Sequence, residues 1–181
     1  IKQIESNFLP ALGYVNRKGI RDTTFGLGYT HYLRGSIFNR VYSGIDIYKV
    51  GSLATGNIET EVTLFRLAEL ETTARDVIRL RARKTTEILD EPFDIYEDLS
   101  RTVTIATGEY TFTEVNTSID FAGFRKVYGS YENTIGDFYT GDVIGHKAVL
   151  GINFSRNFVT NMSFDWSKFE LPEGQFITRL T

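Results

Sequence analysis

Between residues 75 and 84 the chain reads RDVIRLRARK, so Arg75, Arg79, Arg81 and Arg83 fall on alternate positions, interleaved with Ile78, Leu80 and Ala82. A β-strand turns successive side chains to opposite faces, and this segment therefore carries one basic face and one apolar face. The open question is which face meets water. If the apolar row packs on a core and the arginines meet solvent, the chain is a soluble β-protein. If the apolar row touches lipid and the arginines line a polar interior, it is a membrane barrel.

The same alternation recurs along the chain and predicts about nine strands. They are expected at 22–33, 37–50, 58–65, 75–84, 110–121, 125–132, 145–154 and 158–166, with a last one starting near Gln175. Composition agrees: 14 Phe and 10 Tyr against only 3 Pro, with 16 Gly to serve turns, favour strands. One segment competes. In LFRLAELETTA, 64–74, Leu64, Leu67, Leu70 and Ala74 follow helical spacing; the segment is read here as a strand end followed by a connection.

The totals exclude several classes. No apolar run approaches the roughly 20 residues of a transmembrane helix, whereas barrel strands, being only half apolar, pass unnoticed in a chain that is 41% hydrophobic. A net charge of −3 gives no footprint for nucleic acid. The absence of cysteine removes disulfides and thiolate chemistry. The 181 residues suit a single domain, 1–181. Because Ile1 is not an initiator Met and no signal peptide precedes it, that domain is expected to be a fragment of a longer chain.

Connections carry a second signal. Short ones are expected at 34–36, 122–124 and 155–157, and longer ones at 51–57, 85–109, 133–144 and 167–174. Alternating short and long connections are a mark of up-and-down outer-membrane barrels. The polar rows then supply candidate lumen-lining residues: Glu59, Glu61, Arg79, Arg81, Arg83, Glu114, Asp120 and Lys147. A hairpin symmetric about position 70 would set Glu61 opposite Arg79 and Glu59 opposite Arg81. Such pairing suits an enclosed lumen, where a charge taken from bulk water needs a partner. On a solvated face it would add only about 0–1 kcal/mol per pair.

Local motifs assign no catalytic residue, cofactor or metal. FGLGYTH, 25–31, lacks the third glycine of a dinucleotide site, and its glycines are read as relieving crowding on the inward face. His31 and His146 are far apart in sequence. The acidic run EILDEPFDIYED, 87–98, lacks the spacing of a calcium loop. A glycan-directed hydrolase would draw a carboxylate pair from Glu59, Glu61, Glu114 and Asp120.

Five motifs occur in order: LPALGYVNRKGIR (9–21), TEILDEPFDI (86–95), GEYTF (108–112), GDFYTGD (136–142) and ELPEGQFITRL (170–180). Together they resemble the C-terminal region of a bacterial family of unknown function. Its members join a periplasmic family-9-like carbohydrate-binding module to an outer-membrane β-barrel. The resemblance implies that GDFYTGD and ELPEGQF are loops between barrel strands, and it carries over no catalytic residue. The family's chains run through further strands and carry the sugar-binding module, which this sequence lacks. The expectation is thus an all-β, antiparallel up-and-down transmembrane barrel, or part of a larger one, in the bacterial outer membrane. Its partners would be the lipid bilayer and other barrel strands or subunits. Its role would be passage, binding or anchoring of an envelope ligand, with carbohydrate a candidate. The alternative is a soluble antiparallel barrel or sandwich acting as a ligand-binding module.

Overall fold

The computed structural model describes residues 1–7, 18–155 and 157–180. Most of the LPALGYVNRKGIR motif, and Arg156 in the 155–157 turn, lie outside them. Twelve strands and no helix occur among the described residues: β1 Lys2–Ile4, β2 Ile20–Tyr32, β3 Phe38–Ser52, β4 Ile58–Thr72, β5 Val77–Leu89, β6 Phe93–Glu97, β7 Thr102–Ile105, β8 Gly108–Phe121, β9 Val127–Phe138, β10 Gly141–Ser155, β11 Phe158–Leu171 and β12 Gly174–Leu180. Ten of them form one antiparallel sheet in the order β1-β2-β3-β4-β5-β8-β9-β10-β11-β12, and β6 pairs with β7 in a separate hairpin. The sheet is up-and-down and open, since β1 and β12 are not hydrogen-bonded to each other. The nine strands expected from alternation are the nine longer members of this sheet; β1, β6 and β7 are additional.

Two expectations are corrected. Residues 64–74 are not a connection, because β4 runs on to Thr72 and pairs with β5 as far as Glu71↔Val77. The helical spacing of its leucines comes from a β-bulge: Arg66 pairs with Arg81 and Ala68 with Leu80, leaving Leu67 as an extra residue. The rhythm of connection lengths also fails. GDFYTGD and ELPEGQF do join strands, but through two-residue turns at 139–140 and 172–173, where longer loops were expected. Among the connections from β2 onward only 90–107 is long, and it carries the β6–β7 hairpin.

The sheet is curved. Leu64 on β4 and Ser167 on β11 line a common hollow, although five strand-to-strand steps separate them. A flat sheet would hold them about 24 Å apart at ~4.8 Å per step. The ionic face is therefore the concave one.

The polarity of the two faces reverses part-way along the strands. In the half nearer the 73–76 and 122–126 turns, the concave row of β8 is Glu114, Asn116, Ser118 and Asp120. Its convex row is Val115, Thr117, Ile119 and Phe121. In the other half, the concave row continues with Phe112 and Tyr110 while the convex row becomes Thr113, Thr111 and Glu109. β11 does the same: Asp165 and Ser167 give way to Phe169 and Leu171 on the concave side, and Phe164 and Trp166 to Lys168 and Glu170 on the convex side. On the first half the large apolar side chains stand outside without cover, including Leu27 (67% exposed), Met162 (67%) and Leu80 (39%). In the second half the apolar side chains face inward and are covered by the β6–β7 hairpin. Val103 and Ile105 are fully buried against Leu171 and Phe176 there, with Phe138, Phe169, Tyr110 and Tyr139 packed around them. Tyr96 stacks on Phe176 at 4.7 Å.

Candidate ligand-binding site

The bulge at Leu67 decides which acids meet the arginines. It moves the concave row of β4 from Leu64 and Arg66 onto Glu69 and Glu71. Glu69 then faces Arg79 and Tyr42, and Glu71 faces Arg40. Glu69 is the centre of the network. Its Oε1 accepts from Arg40 Nη2 at 2.9 Å, its Oε2 from Arg79 Nε at 3.3 Å, and Arg81 Nη2 stands 3.8 Å away. Arg40 Nε also donates to Glu71 at 3.0 Å, and Glu71 receives Arg75 at 2.6 Å. Arg79 Nη1 reaches Asp120. Arg83 donates to Glu114 at 2.8 Å, Arg66 to Asp46 at 2.6 Å, and Lys147 lies 3.4 Å from Asp165.

Six of the eight candidate residues therefore share the concave face: Arg79, Arg81, Arg83, Glu114, Asp120 and Lys147. Glu61 does not. It pairs with Lys49 and Thr86 on the convex side and binds Lys49 at 2.7 Å. Glu59 sits at a second bulge, between the Thr60↔Val50 and Ile58↔Gly51 pairs. The expected register is thus corrected: Arg79 faces Glu69, and Arg81 faces Arg66. The error has a physical source. Glu61 belongs to the half in which the convex side is the polar one, so polarity alone assigned it to the wrong face. Arg66, Glu69 and Glu71 were missed because the reading of 64–74 as a strand end and connection hides their row, which shows only once the bulge is known. Arg40, Asp46 and Asn116 lie on rows that alternation marks as polar, but their place at the site shows only from the strand pairing.

No family model, curated protein or solved structure matches this chain. The glycines of β2 show how the face is kept open to large side chains. A Cβ at Gly28 would collide with the ring of Tyr42, which lies across it, and one at Gly26 would come within 2.6 Å of Asp46. Arg66 in turn stands over the Tyr42 ring at 5.9 Å. These glycines sit on the inward face, as their reading from sequence required.

Next to the ionic network lies a hollow of ≈340 Å³. Its walls come from six strands. Leu64, Phe138, Val143 and Phe169 face it from the dry half, and Arg81, Arg83, Glu114, Asn116, Glu132 and Lys147 from the ionic half. Its floor is small, with Thr134, Gly145 and Ser167 in one cross-strand row.

On the convex side Trp166, His146 and Tyr131 form a stack across β9, β10 and β11. The centroids are 5.6 and 6.1 Å apart, and the Tyr131 hydroxyl is hydrogen-bonded to His146 Nδ1 at 2.8 Å. The stack lies close to the line where the convex face changes from apolar to polar. In the acidic run 87–98, Glu87 accepts from the Tyr139 hydroxyl at 2.6 Å, while Asp94 and Asp98 bond locally. Asp94 accepts from Thr104 at 2.6 Å, and Asp98 accepts from the backbone and hydroxyl of Ser100 at 2.7 and 2.6 Å and from Tyr96 at 3.0 Å. Those bonds, led by the Ser100 hydroxyl, hold the Asp98 carboxyl down at about 2.

Proposed function

We propose that this chain forms the wall, or part of the wall, of a bacterial outer-membrane β-barrel whose concave ionic face receives a polar ligand. The reversal of face polarity carries the reading. A soluble barrel keeps its apolar residues inside along the whole strand. A membrane barrel that projects beyond the bilayer must switch at the water boundary. The switch follows an oblique course: it falls between Thr23 and Phe25 on β2, Lys84 and Ala82 on β5, and Lys168 and Trp166 on β11. A plane crossing tilted strands produces such a drift in register from strand to strand. Strand length fits as well, because β2 to β5, β8, β10 and β11 run 13–15 residues, more than the roughly 9–11 needed to cross a bilayer. The resemblance in sequence points to the same compartment and makes an envelope carbohydrate one candidate ligand.

The test is refolding of the purified chain from denaturant in buffer alone, in detergent micelles and in lipid vesicles. The reading expects a β-rich, protease-resistant species only when an amphiphile is present. A monodisperse folded species in plain buffer would establish the soluble binding module instead.

A further inference from the structure

We infer that the ≈340 Å³ hollow is a binding site for a small zwitterion bearing an apolar side group, of the class of an apolar amino acid or a short peptide. The inference rests on the concave face being a binding wall, as proposed above, but not on the bilayer. Its basis is what the hollow leaves unpaired. Arg81 makes no hydrogen bond among the described residues, and its nearest carboxylate oxygen, on Glu69, is 3.8 Å away. Other guanidinium groups of the cluster sit at hydrogen-bond distance from their carboxylates, so Arg81 is the one with its fork available. Asn116 follows Arg81 in the same cross-strand row. Its Nδ2 donates to Thr134 at 3.1 Å, but its buried Oδ1 accepts from nothing among the described residues. A buried acceptor without a donor costs free energy, and a ligand N–H at that point relieves it. Glu132, diagonal to Asn116 on β9, has no ion pair among the described residues either, although Lys147 is its cross-strand neighbour; Lys147 leans instead to Asp165 at 3.4 Å.

A cation, an acceptor and an anion thus follow one another across three adjacent strands. An α-carboxylate on Arg81 and an ammonium between Asn116 Oδ1 and Glu132 would satisfy all three. A simple anion would leave Glu132 and Asn116 unanswered, and a simple cation would leave Arg81. The remaining wall is apolar: Leu64, Phe138, Val143 and Phe169 border the hollow on the side of the dry core and would hold a hydrocarbon or aromatic side chain.

Gly145 supports a hollow kept open. Its backbone does not require glycine, because it does not adopt positive φ, and a Cβ would meet the side chains of Ser167, with Oγ close at 3.0 Å and Cβ at 3.8 Å, and of Thr134, with Cβ at 3.8 Å. A larger side chain at 145 would occupy the space that the ligand needs.

The experiment is calorimetric titration of the folded chain, in whichever medium folds it, with phenylalanylglycine, phenylacetate, phenethylamine and the neutral N-acetyl-phenylalanine amide. The zwitterion is expected to bind best. Arg81→Gln and Glu132→Gln should each weaken it by about tenfold or more, the loss expected for one charge-assisted hydrogen bond. Gly145→Leu should abolish binding while the circular dichroism spectrum stays that of the parent. Equal binding of the neutral amide, indifference to both charge substitutions, or no heat from any of the four probes overturns the inference. Because the titration is done on folded protein, failure here is distinct from failure to require an amphiphile.

Discussion

At the residue scale, the useful contrast is between positions on one strand and one face. Leu80 and Thr86 both point to the convex side of β5, Leu80 on the apolar side of the switch and Thr86 on the polar side. Leu80→Arg is expected to cost about 2–4 kcal/mol of stability in lipid vesicles, whereas Thr86→Arg stays within about 0.5 kcal/mol. Denaturant titration of the two variants in vesicles checks this; equal costs would remove the water boundary from between them. A second residue with a definite expectation is Asp98. Its carboxyl is held at about 2 in the folded chain by Ser100, Tyr96 and the Arg101 backbone, below the ~3.9 of an unfolded aspartate. A depressed carboxylate stabilises the fold above the unfolded value and loses that contribution as pH falls through the folded one. The turn between β6 and β7 should therefore loosen between about pH 4 and 2, seen as a carboxyl chemical-shift titration that moves upward in Ser100→Ala.

At the scale of elements, β4 and the β6–β7 hairpin matter most. The bulge in β4 sets the ionic face, since with Leu67 held out of the ladder Glu69 and Glu71 continue the concave row of Leu64 and Arg66, whereas an unbulged strand of the same sequence would turn both acids to the convex side. Glu69→Ala is expected to leave Arg40 and Arg79 without the carboxylate they share on the concave face. Removing one partner of a shielded pair is strongly destabilising, by about 3 kcal/mol or more at fully buried sites. These side chains retain 14–26% exposure, so a loss at the lower end of that range is expected by chemical denaturation. The hairpin can be probed through its most buried residue. Ile105→Ala removes a side chain with no exposure from the only dry core among the described residues and should cost about 2–4 kcal/mol. Because the hairpin roofs one end of the concave face, the same substitution should also raise proteolytic cleavage within 90–107.

At the scale of the whole molecule, the open sheet leaves backbone unpaired on both sides among the described residues. β1 covers only Ile20–Asp22 of β2, and β12 covers β11 only as far as Asp165. Unpaired edges beside exposed Phe25, Leu27 and Met162 are sites of association. Without amphiphile the chain is expected to aggregate through them in light-scattering measurements, and a Thr30→Pro change on the β2 edge should slow that aggregation. Two polarities in one sheet also explain why soluble and membrane readings each found support in the sequence. The inward-apolar pattern holds in one half of the strands and the outward-apolar pattern in the other.

Alternation by itself determined that the chain is antiparallel β, where nine of its strands lie, and that Arg79, Arg81 and Arg83 share a face. That information is local, because successive side chains of a strand must diverge. Which acids those arginines meet was decided by tertiary structure. A single extra residue in β4 re-registers one row, and the level of the polarity switch fixes which side of the sheet a carboxylate belongs to. Neither can be read from a period of two. The core of Val103 and Ile105 was likewise beyond local reading, since residues of the 90–107 connection become buried only by folding back onto strands 70 residues further along the chain.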